Sequence, residues 1–299
     1  MAEPLVSIVI ITYDRVEDAI AAIESARSQA YPRLEVVVIA NVPGGSYEPL
    51  ADRYRDVDAV SIHEEHERGG VSRARNRGFD HATGDIVVIL DDDAVFEDQR
   101  AIERIADTFE EFPDVGALSF RSTDYADGSD IPTEIPRGPN GTVPDSAYYT
   151  TYFVGVGAAF RRQALDAVSG FPPEFFYYKE ELDLSFQLLK AGYELRYVPE
   201  VVVRHKGTEG SRPSENDGWR LTLENRIRVS IRHLPWRYVL ISTLIWTVYV
   251  LIHTRFSLNT VVGAYRNVVS DRTQLLSQRS VIDAASRRRV AELHGRLWY

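Results

Sequence analysis

Three consecutive carboxylates, Asp91, Asp92 and Asp93, follow the apolar run Ile86-Val87-Val88-Ile89-Leu90, and no basic residue lies between Gly84 and Asp93. Alternate side chains of an extended segment share a face, so Asp91 and Asp93 point one way and Asp92 the other. Crowded carboxylates repel unless a cation compensates them. Hard oxygen ligands of this kind suit Mg2+ or Mn2+, ions that often carry a diphosphate. The plainer reading is a solvated acidic turn ahead of the next helix. A second acidic set, Glu180, Glu181 and Asp183, follows Tyr177-Tyr178-Lys179. Leu184, Leu188 and Leu189 continue at helical spacing, which puts these acids in a first helical turn. One acid there suffices to complement the helix dipole, at ~0.3–1 kcal/mol. Three acids beside aromatic rings open a catalytic reading, because apolar surroundings raise a carboxyl pKa and make a usable general base. A third element, Val201-Val202-Val203-Arg204, ends on His205. A lone histidine is more often structural than ligating.

These residues need elements to position them. Val6 to Thr12 is a continuous β-branched run, as expected of a strand buried on both faces. Asp14 is placed to cap the next helix, with Glu17 three residues on as in a capping box. Leu34 to Ala40 reads as a second strand, Ala59 to His63 as a weaker third, and Ile86 to Leu90 and Val115 to Phe120 as two more. Val71 to Ala82, closed by Gly84, and Gln99 to Phe112 read as helices. Strand–helix alternation with short links implies a mostly parallel, doubly wound sheet. Such sheets bind ligands at their strands' C-terminal ends, so Tyr13-Asp14, Asn41 and Asp91 to Asp93 should converge on one crevice. Thr123 to Ala147 is a long Gly/Pro/Asp/Ser-rich loop of the functional or mobile kind. Tyr152 to Arg162 mixes small and apolar residues, as in a strand that something approaches closely.

Composition bounds the function. The 299 residues suffice for one large core or a main domain with an appendage, and 44% hydrophobic with 26% charged content fits a folded chain. With no cysteine, disulfides and thiolate metal sites are excluded. A net charge of −10 argues against nucleic-acid binding. Lysine occurs only at 179, 190 and 206 among 34 basic residues. A high-salt cytoplasm favours such an acidic, lysine-poor chain, and a GC-rich genome gives the same exchange. Met1-Ala2-Glu3-Pro4 shows no export-signal pattern, so a cytoplasmic catalytic part is expected.

Taken in order, VSIVIITYDR at the start, Arg73-Ala74-Arg75-Asn76-Arg77-Gly78, Gly84-Asp85 leading to Asp91-Asp92-Asp93, Gly157 to Arg162, Gly170-Phe171, Phe176 to Leu184, Ala191-Gly192-Tyr193 and His205 resemble family 2 glycosyltransferases, in particular rhamnosyltransferase-like members. The resemblance covers roughly residues 5 to 235. It implies an α/β GT-A fold, Rossmann-like, with a mostly parallel sheet and helices on both faces. It also implies an inverting, hexosyltransferase-type transfer from a nucleotide-diphosphate sugar. On that resemblance Thr12 and Tyr13 flank the nucleotide, Arg73 and Arg75 meet phosphates near a helix start, and Asp91 and Asp92 contact the nucleotide sugar. Asp93, with Asp91 and His205, holds Mn2+ or Mg2+, and imidazole favours Mn2+. Glu181 is the first choice for the base that deprotonates the acceptor, Glu180 is the alternative, and Asp183 positions the acceptor or orients the base. The chain departs from the family pattern twice, with Asn41 where an Asp usually meets the nucleotide base and Glu rather than Asp at 181.

The C-terminal third reads differently. Trp219 to Leu234 is an Arg-studded amphipathic helix suited to an anionic membrane surface. Tyr238 to Ile252 is apolar on all sides, broken only by Ser and Thr, and shorter than the ~20 residues that span a bilayer. Arginines flank it on both sides, whereas a spanning helix carries its positive bias on one side, which favours an in-plane or shallowly inserted anchor and leaves a single-pass helix as the alternative. A buried core helix is the soluble alternative. The organisation expected is a catalytic domain over 1–235, with a nucleotide-sugar half to about 120 and an acceptor half beyond it, then a membrane-associating helical region over 236–299. Attachment at the cytoplasmic face would place the site beside a lipid-linked acceptor, such as a polyprenyl or dolichyl phosphate glycan. Two other classes compete. Asp91-x-Asp93 after a strand is also a haloacid-dehalogenase-like phosphohydrolase signature, though that class wants its nucleophile strand early and a later Lys. A catalytically inactive scaffold is the other.

Overall fold

The computed structural model describes residues 3–41, 47–65, 69–138, 143–207, 213–295 and 297. The long β-branched runs form the strands that their composition dictates. β1 (Val6–Thr12) leads through α1 (Val16–Arg27) to β2 (Leu34–Asn41), α2 (Glu48–Tyr54), β3 (Val60–Glu65), α3 (Gly70–His81) and β4 (Ile86–Asp91). The chain then adds β5 (Ala94–Phe96), α4 (Ala101–Glu111), β6 (Val115–Asp124), a 3-10 turn at Pro132–Glu134, β7 (Tyr148–Thr150), β8 (Gly157–Arg161) and α5 (Arg162–Asp166). α6 (Glu180–Lys190), β9 (Glu194–His205), α7 (Glu215–His233), α8 (Trp236–His253), α9 (Leu258–Ser270), α10 (Arg272–Ser277) and α11 (Ala284–Glu292) complete it.

The nine strands form one sheet in the order β3-β2-β1-β4-β8-β6-β9-β5, with β7 on β9. β1 to β4 are mutually parallel, β8 runs antiparallel between β4 and β6, and β6 pairs β9 in parallel. One face buries α1 and α4 on Ile8, Val36 and Val88; the other buries α3, α5 and α6 on Val9, Val87 and Phe160. The mostly parallel, two-faced sheet therefore matches expectation, and β8 is its antiparallel insertion.

Several local expectations change. Asp14 does not cap α1: it adopts φ 54, the N-cap position falls on Arg15, and no side chain caps that end. α3 stops at His81 with Ala82 as its cap, so Gly84 does not end it. A Cβ on Gly84 would lie 2.6 Å from Ser7 Oγ and 2.7 Å from the Leu5 carbonyl, so close approach is what demands the glycine. Only Gly157–Arg161 of the Tyr152–Arg162 stretch is strand. α7 is not a surface amphipathic helix. Arg226, Arg228, Arg232 and His233 are all buried, and Leu223, Ile227, Val250, Val261 and Ala264 of α7, α8 and α9 share a core. Glu224 of α7 itself, and Asp271, Glu174 and Asp183, which are distant in sequence, supply the partners for α7's arginines. α8 is not a core helix: Leu240, Leu244 and Ile252 on it are 71%, 66% and 58% exposed.

Candidate active site

The C-terminal tips of β1, β2 and β4 open into one cavity of about 1140 Å3, bounded also by the starts of α3 and α6, the end of β9 and the Pro132–Glu134 turn. Asp91 closes β4, and Asp93 stands just beyond it. The short β5, which the sequence reading missed, folds back on β9 with Ala94 opposite His205. That register brings His205 to Asp93, and the Lys206 backbone N–H donates to the Asp93 carbonyl at 3.0 Å. Ligand atoms of Asp91, Asp93 and His205 all lie within 4.8 Å of one another.

His205 is held from both ring nitrogens, Nε2 3.1 Å from Asp93 Oδ1 and Nδ1 2.9 Å from Glu134 Oε2. Glu134 in turn accepts from Ser122 Oγ at 2.6 Å. Burial opposes the imidazolium, but the hydrogen bonds to Asp93 and Glu134 outweigh it and push the His205 pKa up to about 10. A carboxylate on the far nitrogen is the arrangement that orients a metal-bound imidazole and strengthens its basicity. Two carboxylates and an Nε2 so oriented fit a divalent ion that tolerates nitrogen, Mn2+ better than Mg2+.

Asp92 turns away from the other two acids. It is buried and pairs with Arg15, whose guanidinium lies 2.5 Å from Asp92 Oδ1 and 2.9 Å from Asp93 Oδ2. Burial raises the Asp92 carboxyl to about 7 even with Arg15 beside it. Asp91 meets the second cation: Arg75 donates to Asp91 at 3.0 Å, to Glu180 at 3.2 Å and to the Gly155 carbonyl at 2.9 Å. Arg15 comes from the first strand tip, 77 residues from Asp92, and Arg75 from the preceding helix α3, so the acidic triplet is compensated by other elements.

α6 begins at Glu180, so Glu180, Glu181 and Asp183 do occupy its first turn. Their environments differ. Glu180 is buried against Arg75, and burial with the neighbouring Glu181 pushes its pKa up to about 8. Glu181 is partly exposed and lines the cavity. Asp183 is fully buried outside the cavity and ties α6 to α7, accepting from His233 Nε2 at 2.8 Å and pairing with Arg232 Nε at 3.0 Å. Burial opposes its charge, but His233 and Arg232 prevail and hold its pKa below the ordinary carboxyl range.

Gly155 joins the two halves of the site. A Cβ there would lie 2.6 Å from Arg75 and 2.8 Å from Glu181 Oε1. The close approach expected of the small-residue stretch thus falls on Gly155, and on Gly157, where a Cβ would lie 2.9 Å from Phe120. Across α3, the positive φ of Gly70, 76°, lets the Val71 N–H reach the Phe176 carbonyl at 3.0 Å and seats the Phe176–Lys179 loop at the cavity wall.

Among the residues singled out in the sequence, Thr12, Tyr13, Asn41, Arg75, Asp91, Asp92, Asp93, Glu180, Glu181 and His205 line this cavity. Arg73 is exposed, directs Nε to the Pro173 carbonyl at 3.3 Å and does not line the cavity, nor does Asp183. Val42, next to Asn41, and residues 139–142 of the long loop lie outside the described residues. Arg15, Glu134, Gly155 and Arg226 line the cavity without having been singled out as site residues. Arg15 had a signal, since it ends the TYDR turn at the first strand tip. Glu134 had only its place in a long loop.

Residues 7–169 match the family described as Glycosyl transferase family 2. A glucosyl-dolichyl phosphate glucuronosyltransferase of Haloferax volcanii is 32% identical over 146 residues, 48% of this chain and 44% of that protein. The O-antigen chain rhamnosyltransferase WbaN of Salmonella anatum is 26% identical over 57% of this chain and 56% of its own length. The chain thus spans about half of each of these two relatives. Among solved structures, the mannosyltransferase PcManGT from Pyrobaculum calidifontis, in complex with GDP-Man and Mn2+, superposes with a TM-score of 0.58 at 20% identity, covering 98% of this chain and 80% of that one. GalNAc-T7 with UDP, GalNAc and Mn2+ gives a TM-score of 0.64 at 17% identity, over 80% of this chain and 50% of that one. These likenesses establish the fold, and the family match displaces the phosphohydrolase alternative. With more than half of its length inside that match, the chain belongs to glycosyl transferase family 2 and has the GT-A fold.

Proposed function

We propose that the protein is a metal-dependent inverting glycosyltransferase that moves a sugar from a nucleotide-diphosphate donor to a lipid-linked acceptor at the cytoplasmic face of the membrane. One observation carries the reading: a divalent-ion donor set (Asp91, Asp93, His205) and a free-standing carboxylate (Glu181) face the same cavity. Thr12, Tyr13 and Asn41 at the strand tips offer the donor's nucleotide its place, and Arg75, Asp91 and Asp92 the sugar and phosphates. Asp91, Asp93 and His205 would hold the ion, which when bound offsets the charge of the departing diphosphate. Arg15 fixes Asp92 and Asp93, and Glu134 fixes the face of His205.

Glu181 takes the acceptor's hydroxyl proton as its oxygen bonds to the anomeric carbon from the face opposite the leaving group. The bond from that carbon to the diphosphate oxygen breaks, and the nucleoside diphosphate departs with the electron pair. Glu180 is less suited to this task, because it is buried and held by Arg75. Glu181→Gln should abolish transfer while calorimetry shows unchanged binding of nucleoside diphosphate with Mn2+. Full transfer activity in that variant would pass the role to Glu180, and loss of nucleotide binding in the unaltered protein would favour an inactive scaffold.

The membrane part of the proposal rests on α8 and α9. Their outer faces carry Leu240, Leu244, Val248 and Ile252, then Leu258, Val262 and Val269, with Phe256 in the connection between them, all large, apolar and exposed. α8 packs its inner side, Val239, Ser242 and Val250, on the protein, and Ser242 Oγ meets Ser230 Oγ of the charged α7 at 3.2 Å. A helix fastened along a neighbour with buried arginines does not cross a bilayer alone. The pair therefore suits in-plane insertion, with exposed Arg237, Arg255 and Arg266 around it for anionic headgroups. The name of the Haloferax relative, which acts on a glucosyl-dolichyl phosphate, supports a lipid-linked substrate, and that of the Salmonella relative a glycan chain.

A further inference from the structure

α7 carries four arginines, three of them buried, and all but one are neutralised. Arg220 and Arg228 pair with Glu224 at 3.2 and 2.6 Å, and Arg232 pairs with Glu174 at 2.9 Å. Arg226 differs. It is 6% exposed, its Nε has no hydrogen-bond partner, and no described carboxylate pairs with it. It faces the cavity rather than the core. Its Cζ lies 5.4 Å from the Trp246 ring centroid, and Lys179 Nζ approaches the same ring at 5.5 Å. Two cations thus flank one indole; Lys179 also feels the charges of Glu181 and Glu180, whereas Arg226 has no such acid beside it among the described residues. Burial lowers the Arg226 pKa only to about 10, so it stays charged at neutral pH. A buried, unpaired cation is destabilising unless an anion joins it.

The backbone is built to hold this pair. Tyr178 and Lys179 both adopt left-handed conformations, φ 70 and 69. Asn225, next to Arg226, donates its amide to the Tyr177 and Tyr178 carbonyls at 3.0 and 2.9 Å and pins that turn. Such strain persists only where surrounding structure enforces it. The same turn leads directly into Glu180 and Glu181. On the other side, Ile245 and Tyr249 of α8 line the cavity and also stand 39% and 43% exposed on the apolar outer face. The cavity is therefore continuous with the surface assigned to the membrane.

We propose that Arg226 and Lys179, on either side of Trp246, bind the phosphate of a lipid-phosphate acceptor whose hydrocarbon chain leaves over Ile245 and Tyr249 into the bilayer. This deepens the transferase reading above and rests on it for the acceptor's role. A planar guanidinium matches two phosphate oxygens, and an ammonium adds a third contact. The single turn between Lys179 and Glu181 places the phosphate close to the reacting hydroxyl, which selects a lipid phosphate bearing at most a short glycan.

The test uses the full chain and calorimetry with three probes: farnesyl phosphate, farnesol and inorganic phosphate. Farnesyl phosphate should bind Arg226→Met and Lys179→Met about 10- to 100-fold more weakly than the unaltered protein, the loss of one or two charge-assisted hydrogen bonds. Arg226→Lys should retain part of the affinity, and farnesol should bind all variants alike. Lys179 is only partly buried, so its variant tests the site even where Arg226→Met does not fold. Unchanged farnesyl phosphate binding in folded Lys179→Met and Arg226→Met overturns the proposal. Inorganic phosphate binding as tightly as farnesyl phosphate overturns the lipid assignment. Binding of nucleoside diphosphate with Mn2+ is measured in parallel. Its absence while farnesyl phosphate still depends on Arg226 removes the transferase reading and keeps the lipid-phosphate site.

Discussion

Gly155→Ala tests whether the two halves of the site depend on their close approach. Gly155 is not among the left-handed residues, so alanine is allowed by the backbone and the effect is steric. The added Cβ would stand 2.6 and 2.7 Å from the two terminal nitrogens of Arg75 and 2.8 Å from Glu181 Oε1. Ordinary contact begins near 3.4 Å, so Arg75 must give by roughly 0.7–0.8 Å and Glu181 by roughly 0.6 Å. Arg75 is locked by Asp91, Glu180 and the Gly155 carbonyl itself. Glu181 is partly exposed, and its carboxylate accepts no hydrogen bond among the described residues, so it is the freer of the two to move. A shift approaching 1 Å in a reacting group costs on the order of 100-fold in rate, or about 2.7 kcal/mol. Overpacking adds about 1–3 kcal/mol of destabilisation, seen as a Tm lowered by several degrees. The assay is sugar transfer followed by nucleoside diphosphate release and by mass gain on the acceptor, with donor-nucleotide binding measured by calorimetry. The expected pattern is kcat down about 100-fold with nucleotide binding little changed. A variant with unaltered kcat would refute the argument, since neither the placement of Glu181 nor that of Arg75 would then limit the reaction.

Glu134→Gln should weaken Mn2+ binding about 10- to 100-fold, read by calorimetry or by the spin-resonance signal of free Mn2+, because the carboxylate orienting His205 is lost. Asp183→Asn strips a buried acid from Arg232 and His233 and should cost about 3–5 kcal/mol in denaturant unfolding. Because the folded Asp183 pKa is depressed, its stabilisation is present above the unfolded value of about 3.9 and is lost as pH falls through the folded value, so the variant should lack that part of the acid-induced loss. Leu240→Asp with Leu244→Asp should abolish flotation with anionic vesicles and leave nucleotide binding in solution intact; retained flotation would remove α8 from the membrane.

The parts legible in the sequence were those that local composition dictates. β1 spans Val6–Thr12 as read, and α6 begins at Glu180 because its leucines recur at helical spacing. Strand tips in a doubly wound sheet must share an edge, and the acidic triplet and His205 therefore meet. What escaped was tertiary. β5 is three residues long, too short for a pattern, yet it sets His205 against Asp93. Arg15 and Glu134 matter only through partners more than seventy residues away. The arginines of α7 resembled a membrane-facing stripe because Glu174, Asp183 and Asp271, which neutralise them, lie in other elements. Arg73 shares its helix with Arg75, but its side chain turns outward to Pro173.

The turn of Tyr178 and Lys179, fastened by Asn225, has an arithmetic consequence. With a phosphate clasped at Lys179 and the proton acceptor two residues on, the span between anchor and reaction point is fixed by the chain. An acceptor that has just been extended carries its new terminal hydroxyl one sugar farther out, beyond that span, while its phosphate is still clasped. A second addition by the same molecule would require the anchor to let go, so the proposed phosphate site implies one sugar added per binding event.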